Sequence, residues 1–359
     1  FKRPLAAFQG LQWYIAEMDV KIQAAKHLVY KAAMNKQLGL PYTIDAARAK
    51  LFAAETAMEV TTKAVQIFGG YGFTKEYPME RMMREAFKDK KRIVFKVGSS
   101  TITHEETGGL DLVKLEKFVR ILTDLHNQGK DIIVVSSGAI AVGRKALGLT
   151  KRPDTTSLKQ ACAAIGQSRL MTVYQKLFSE YNQYTAQILM TKFTIENDTS
   201  RHNARNTFEE LLSLGAIPIV NENDTVAIDE IEFGDNDTLS AVVAAIAGAD
   251  MLVLLSDIDG LYTDDPNRNP EAELIPYVER ISDEMIEMAK GPTTSFGTGG
   301  MSSKISAAGI ANDAGADMAI INGDNMENIL TLMEGKDIGT VFKEHRTRHF
   351  HLKEYLNRR

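Results

Sequence analysis

The sequence predicts an α/β fold with a mostly parallel central sheet, preceded by a small all-α segment. Three observations carry this. From residue 92 onward, short apolar runs alternate with stretches of helical period, the pattern of a parallel sheet connected by helices. Residues 1–87 show only three- and four-residue apolar spacing, with no strand-like run. The charge changes where the texture does: residues 1–87 hold 12 basic and 8 acidic side chains, residues 88–359 hold 30 and 39. The join at Phe87-Lys88 is abrupt, with no linker rich in Gly, Pro or Ser. Two domains are therefore expected, 1–87 and 88–359, and a length of 359 residues suits two.

In chain order, Ile15, Met18, Ile22, Ala25, Leu28, Val29 and Ala32 fall mostly on one face of a first helix, which Gly39 and Pro41 end. Thr43 is placed as the N-cap of a second helix, with Asp45 in its first turn against the dipole. Met58, Val60, Ala64, Val65 and Ile67 carry that helix to a stop at Gly69-Gly70. A short third helix is expected after Pro78. Arg92–Val97 reads as the first strand, followed by a helix from about Asp111 to Asn127. Asp131–Val135 reads as the second strand, with a helix after Ser137-Gly138. Further strands are expected at Ala186–Met190, Ile217–Val220, Met251–Leu255 and Met318–Ile321, with helical stretches between them.

Composition removes several classes. Hydrophobic residues at 44% and charged residues at 25% are ordinary for a soluble globular chain. The single cysteine, Cys162, forms no intrachain disulfide, nor does it supply a zinc site of four cysteines or of two cysteines and two histidines. Its Ala-rich helical surroundings make it a buried apolar residue. No apolar run reaches the ~18 residues of a membrane span; the best lies around Ala241–Ala247. Phe1-Lys2-Arg3-Pro4 is not followed by the apolar core of a signal peptide. A net charge of -5 argues against bulk nucleic-acid binding. The expectation is a cytoplasmic protein with neither a membrane nor a nucleic-acid partner. The chain does not begin with Met, so it reads as a fragment or as a processed or edited product.

In the first segment, Gln66-Ile67-Phe68-Gly69-Gly70-Tyr71-Gly72-Phe73 is followed by Tyr77-Pro78-Met79-Glu80-Arg81 and Arg84. This run resembles the C-terminal helical domain of flavin-dependent acyl-CoA dehydrogenases, and the resemblance extends over residues 1–87. It implies that Gln66–Gly70 descends from a stretch that helps bind the flavin dinucleotide of a neighbouring subunit. That family's other two domains, and the segment that carries the catalytic carboxylate in many members, are missing. Without the base no α-proton is abstracted, and without the other domains a flavin has no pocket. No functional flavin is expected. Gly69, Gly70 and Gly72 then serve as helix-stop and turn residues, and Trp13, Met82 and Met83 as packing residues.

The second segment lacks the P-loop pattern and the protein-kinase motifs. Instead Lys96-Val97-Gly98-Ser99-Ser100 follows directly on the first strand. A lysine there stands at a strand's C-terminal end, where ligands of open α/β sheets collect. Ser136-Ser137-Gly138-Ala139 follows the second strand and opens a helix, a turn whose backbone N–H groups would suit an anion. Gly297-Thr298-Gly299-Gly300-Met301-Ser302-Ser303-Lys304 runs into another helix with Lys304 in its first turn. Ser302 there also fits a plain N-cap. Between these lie Asn221-Glu222-Asn223-Asp224, Gly234-Asp235-Asn236-Asp237 and Leu255-Ser256-Asp257-Ile258-Asp259-Gly260, runs that equally make turns. Phosphoryl transfer needs charge neutralisation around the moving group and donors for the phosphates, which lysines and glycine-rich turns can supply.

With Gly166-Gln167-Ser168-Arg169-Leu170 and Asn203-Ala204-Arg205, these motifs resemble the amino acid kinase family over nearly all of residues 88–359, in its branch acting on the γ-carboxylate of L-glutamate. The resemblance implies a three-layer α/β/α sandwich and transfer of the ATP γ-phosphoryl group to L-glutamate, the first step of proline synthesis. It implies that Lys96 and Lys304 approach the transferred group and that Asp237 orients them. It places L-glutamate at Ser137, Asp224 and Asn236. It places ATP at Ser256, Asp257, Thr298, Gly299, Gly300, Met301, Ser302, Ser303 and Lys304, with Lys96 beside it. Mg²⁺ is expected on the ATP phosphates, with no metal site of the protein's own. Proline is expected as a feedback inhibitor, and the chain as a homo-oligomer, dimer or tetramer. Phe95 and Ser256 depart from the residues common at their positions. The chain stops at Arg359, short of the C-terminal PUA domain that many members carry. N-acetylglutamate, aspartate and carbamate remain as other acceptors, and a non-catalytic scaffold with a helical assembly module as another role. His345, His349 and His351 are read as a solvated terminal stretch rather than a metal site.

Overall fold

The computed structural model describes residues 8–68, 90–104, 107–226, 236–266, 269, 271–289, 300–346 and 352. Two compact units share the chain, with the main boundary at Asp89–Lys90. The expected third helix after Pro78, Gly69-Gly70 and the Met82–Met83 pair lie outside the described residues.

The first unit holds α1 (Gln9–Gln37) and α2 (Thr43–Phe68). Gly39 ends α1 as expected, and the mechanism is visible. With φ at +71°, it lets its own N–H reach Lys36 O and that of Leu40 reach Asn35 O, a Schellman closure. The helices run antiparallel, since Lys63 pairs with Glu17 at 2.9 Å near one end and Lys31 with Asp45 at 3.2 Å near the other. Lys21 pairs with Glu59 between them. Thr43 is not the N-cap: Ala46 N–H already bonds Tyr42 O, so the helix starts one residue earlier than a cap at Thr43 allows. Asp45 is held by Asn35 Nδ2 at 2.9 Å. Trp13 is not a packing residue, being 65% exposed. It sits roughly 140° around α1 from Met18 and about 180° from Ile22, both half-buried.

The second unit contains, in order, β1 (Arg92–Val97), α3 (Ser99–Ile102), α4 (Leu112–Asn127), β2 (Asp131–Ser136), α5 (Ala139–Ala146) and α6 (Thr156–Ser179). There follow β3 (Tyr184–Met190), α7 (Lys192–Glu196), α8 (Asp198–Ser213), β4 (Ala216–Glu222), α9 (Asn236–Ala247) and β5 (Met251–Ser256). The last elements are β6 (Tyr277–Val278), α10 (Asp283–Ala289), α11 (Met301–Ala314), β7 (Asp317–Asn322), α12 (Asn328–Met333) and β8 (Thr340–Phe342). The sheet order is β3-β4-β2-β1-β5-β7-β8-β6, parallel from β3 to β7 and antiparallel at β7–β8. All six expected strands are present. The short β6 and β8 were not foreseen.

Strands β2, β4 and β5 are buried almost without a break, which requires cover on both faces. On one face Val94, Val135, Val220, Leu252 and Ile320 share a core with α8, α9 and α11. The alternate residues Ile93, Phe95, Ile132 and Val134 point to the other face, where α4 lies on β2 and α6 on β3. Helix α9 is apolar and buried all round, which explains its run of Ala and Val. Cys162 is buried as expected.

The strand ends opposite the glycine-rich turns are fastened by charge. Asp317, fully buried at the start of β7, meets Lys90 Nζ at 2.8 Å, Lys343 Nζ at 3.0 Å and the Glu344 N–H at 2.8 Å. Burial works to raise its pKa, but the two ammonium groups outweigh it and hold the carboxyl below the usual range. The stability this contributes is present above the unfolded carboxylate range and lost as pH falls through the lower folded value. Nearby, Asp250 Oδ2 accepts from the Lys91 and Arg92 N–H groups, and Arg92 holds Glu209 through two bonds of 2.8 and 3.0 Å. Asp317→Ala leaves two cations facing an apolar void. We expect a loss of about 3–5 kcal/mol in urea unfolding; a loss under ~1 kcal/mol would mean the cluster is ornamental.

Candidate active site

The parallel strands deliver their C-terminal ends to one edge of the sheet, and the candidate residues lie there. Lys96 is the fifth residue of β1, a strand between β2 and β5. Asp237 lies in the first turn of α9 and is fully buried. Lys304 is the fourth residue of α11. Three elements far apart in sequence thus meet: Lys96 Nζ stands 2.6 Å from Asp237 Oδ1 and Lys304 Nζ 3.0 Å from Oδ2. Ser303 Oγ lies 3.2 Å from Oδ2. Burial pushes the Asp237 carboxyl up, but the two lysines prevail and hold it below the usual range. It therefore stays ionised. A fixed anion between two ammonium groups holds both cations beside one place, where a second, more highly charged anion would be attracted.

Beside it, the turn after β2 is built for close approach. Gly138 adopts φ +102° and precedes α5. Helix α5 is pressed against α6 through glycines: a Cβ on Gly143 would lie 1.8 Å from Cys162 O, and one on Gly166 1.7 Å from Ala139 O. Ser137 Oγ accepts from Asn236 Nδ2 at 2.6 Å. Asn236 Nδ2 also donates to Asn221 Oδ1 at 3.1 Å, which brings the ends of β2 and β4 and the start of α9 together. Asp224, two residues past β4, is half-buried, and burial pushes its carboxyl up to about 6. A carboxylate in that condition gains from an incoming cation.

At the end of β5, Ser256 is buried and its Oγ donates to Asp257 Oδ1 at 3.1 Å. Gly300 is the N-cap of α11 and Met301, Ser302, Ser303 and Lys304 form its first turn. Ser302 is accordingly not a cap; glycine takes that place, and Ser303 Oγ satisfies Gly300 O at 2.8 Å. Thr298 and Gly299 lie outside the described residues, as do Gly234 and Asp235. His345, read as solvated, instead pairs with Asp313 through Nε2 at 2.9 Å; His349 and His351 lie outside the described residues. Two buried amides were not singled out by sequence. Asn221 sat inside a noted run, and Gln167, 7% exposed on α6, lay in a noted run with no role attached.

This constellation, on this sheet order, defines a class. The chain belongs to the amino acid kinase family, whose model matches residues 91–322. Within that family its curated relatives include glutamate 5-kinases. The chain is 48% identical to that of Clostridium perfringens over 264 residues, covering 72% of this chain and 98% of the relative. It is 50% identical to that of Carboxydothermus hydrogenoformans over 260 residues, covering 72% of this chain and 70% of the relative. In structure it resembles the UMP kinase from Bacillus anthracis, with a TM-score of 0.50, 14% identity and cover of 73% of this chain and 99% of that one. At that identity the likeness speaks for the fold alone. Residues 1–87 match the acyl-CoA dehydrogenase C-terminal domain model. No helix among the described residues is long and apolar enough to cross a membrane.

Proposed function

We propose that the chain transfers the γ-phosphoryl group of ATP to the γ-carboxylate of L-glutamate, giving L-glutamyl 5-phosphate. The single observation that carries this is the Lys96–Asp237–Lys304 cluster at the edge of a sheet whose relatives are glutamate 5-kinases. The substrate carboxylate attacks the γ-phosphorus directly, so no protein nucleophile is needed. Charge in the transition state gathers on the equatorial oxygens, and the two ammonium groups neutralise it there. Asp237 keeps both lysines aimed and does not itself take a proton. We assign Ser137, Asp224 and Asn236 to L-glutamate, with Asp224 accepting from its ammonium group. We assign Ser256, Asp257, Thr298, Gly299, Gly300, Met301, Ser302, Ser303 and Lys304 to ATP.

Among the described residues no three His, Cys, Asp or Glu side chains converge as a metal site, and Asp237 is engaged by lysines. We place Mg²⁺ on the ATP phosphates, where it would neutralise charge. The protein is taken as cytoplasmic, as a dimer or tetramer, and as inhibited by proline. The test of the reaction is ADP release with Mg-ATP, with L-glutamate, N-acetylglutamate, aspartate or bicarbonate plus ammonia as acceptor. Stimulation by L-glutamate alone is expected; release with none of them would overturn the reading.

Two further results are expected. With Mg-ATP saturating, kcat/KM for L-glutamate falls as pH drops through about 6, because Asp224 then becomes neutral and loses the ammonium. Asp224→Asn removes that acid limb from the pH profile; a limb that survives the substitution belongs to another group. We take residues 1–87 as a separate helical unit that plays no part in transfer. Deleting them leaves kcat and both KM values within about twofold, since every assigned residue lies beyond Asp89. A folded but inactive truncated chain would refute this.

A further inference from the structure

The direction of every amide at the acceptor site follows from one backbone group. The Glu222 N–H donates to Asn221 Oδ1 at 2.9 Å. A backbone N–H only donates, so the Asn221 side chain has its oxygen on that side and its nitrogen on the other. That nitrogen meets Gln167 Oε1 at 2.9 Å, inside the protein. Asn221 Oδ1 also receives Asn236 Nδ2 at 3.1 Å, so Asn236 presents nitrogen to it. The second proton of the same nitrogen goes to Ser137 Oγ at 2.6 Å.

Both donors of Asn236 are thereby used, and its oxygen is the polar atom left for a ligand. Ser137 Oγ already accepts, so its own hydroxyl proton is left to donate. The chain of bonds thus turns two ambiguous groups into one acceptor and one donor. Asp224, a few residues beyond β4, adds a second acceptor. Two acceptors match an ammonium group and the donor matches a carboxylate oxygen, the two ends of an unmodified α-amino acid.

We propose that Gln167 and Asn221 are positioning residues whose buried amides set the polarity of Asn236 and Ser137, so that the site takes an acceptor with a free α-ammonium group and rejects its N-acylated analogue. The inference rests on the glutamate kinase reading and deepens it. An N-acyl nitrogen carries no charge and a single proton, so it leaves one of Asp224 and Asn236 Oδ1 without a donor and gives the other only a neutral one. Gln167 acts through its neighbours. Its oxygen accepts from the Asn221 nitrogen on one side while the Glu222 N–H holds the Asn221 oxygen on the other; a flipped Asn221 would set its oxygen against Gln167 Oε1 and its nitrogen against the Glu222 N–H and the Asn236 nitrogen.

Steady-state kinetics with the full chain test this. Gln167→Met keeps length and bulk and removes the acceptor; Gln167→Glu keeps an oxygen toward Asn221. For Gln167→Met we expect the KM for L-glutamate to rise about tenfold, the worth of one such bond. The KM for ATP and kcat should stay within about twofold. The preference for L-glutamate over N-acetylglutamate should shrink by a similar factor, and Gln167→Glu should restore most of it. Gln167→Leu replaces the Met variant if the latter does not fold. A folded variant with an unchanged KM for L-glutamate would overturn the proposal, as would equal changes in both KM values, which mark a merely structural role. If wild-type protein releases no ADP with L-glutamate but binds it by calorimetry, the kinase reading fails alone and the same variants are compared by Kd. If it neither turns over nor binds L-glutamate, both fall.

Discussion

Lys304→Ala lowers kcat by at least about 10²-fold. Its ammonium group sits 3.0 Å from a buried carboxylate that Lys96 holds from the other side. Such a charge needs no reorganisation when phosphoryl oxygens gain charge beside it, and losing a preorganised group of this kind costs about that factor. The loss falls mainly on kcat, because the interaction strengthens in the transition state. Asp237 keeps Lys96 as a partner, so the variant should fold, and a thermal melt checks that. A folded variant with near-normal kcat would remove Lys304 from the reaction.

The second large effect comes from adding a single methyl group. At Gly166 a Cβ would stand 1.7 Å from Ala139 O and 2.6 Å from Gly143 N, both backbone atoms of α5. No side-chain rotation relieves that, so Gly166→Ala must push α5 outward. The expected cost is about 1–3 kcal/mol or more in unfolding. Displacing α5 also moves Gly138 and Ser137 at its start, so the KM for L-glutamate should rise more than that for ATP. Gly10→Ala is the control, since nothing lies within 4 Å of a Cβ there. Equal stability of the Gly166 and Gly10 variants would show that the two helices part more easily than their backbones suggest.

These two sites differ in how far the sequence disclosed them. The six longer strands were legible because each is an apolar run long enough to stand out. Strands β6 and β8 have two and three residues, too few for any period. Lys96 and Lys304 were legible as lysines beside glycine-rich turns, and Asp237 through its Asx-rich run. Their convergence on one carboxylate needed the sheet order, which brings β1, α9 and α11 together. Gln167 was not legible as a buried partner of Asn221. A glutamine on a helix reads as a solvent-facing position, and nothing in its spacing signals a buried amide bonded to a strand 54 residues on. Gly143 and Gly166 were equally silent, because a helix tolerates a glycine for many reasons. Thr43 and Ser302 misled for a shared reason: both look like caps, but each helix starts ahead of them. Trp13 misled because a large aromatic invites a packing role, whereas it is 65% exposed on α1.

The buried carboxylate at Asp317 also bears on how the protein is made. It joins Lys90, at the head of the second unit, to Lys343, near its tail. At about 5–20 residues per second, a ribosome needs on the order of tens of seconds to make the stretch between them. For the first part of that interval β1 is synthesised but lacks its β5 neighbour, and for the next part β5 lacks β7, so an apolar strand edge waits uncovered. The α1–α2 hairpin, whose contacts are local, is complete long before. A nascent chain halted short of β7 therefore carries a finished helical hairpin followed by an unfinished sheet with an apolar edge uncovered.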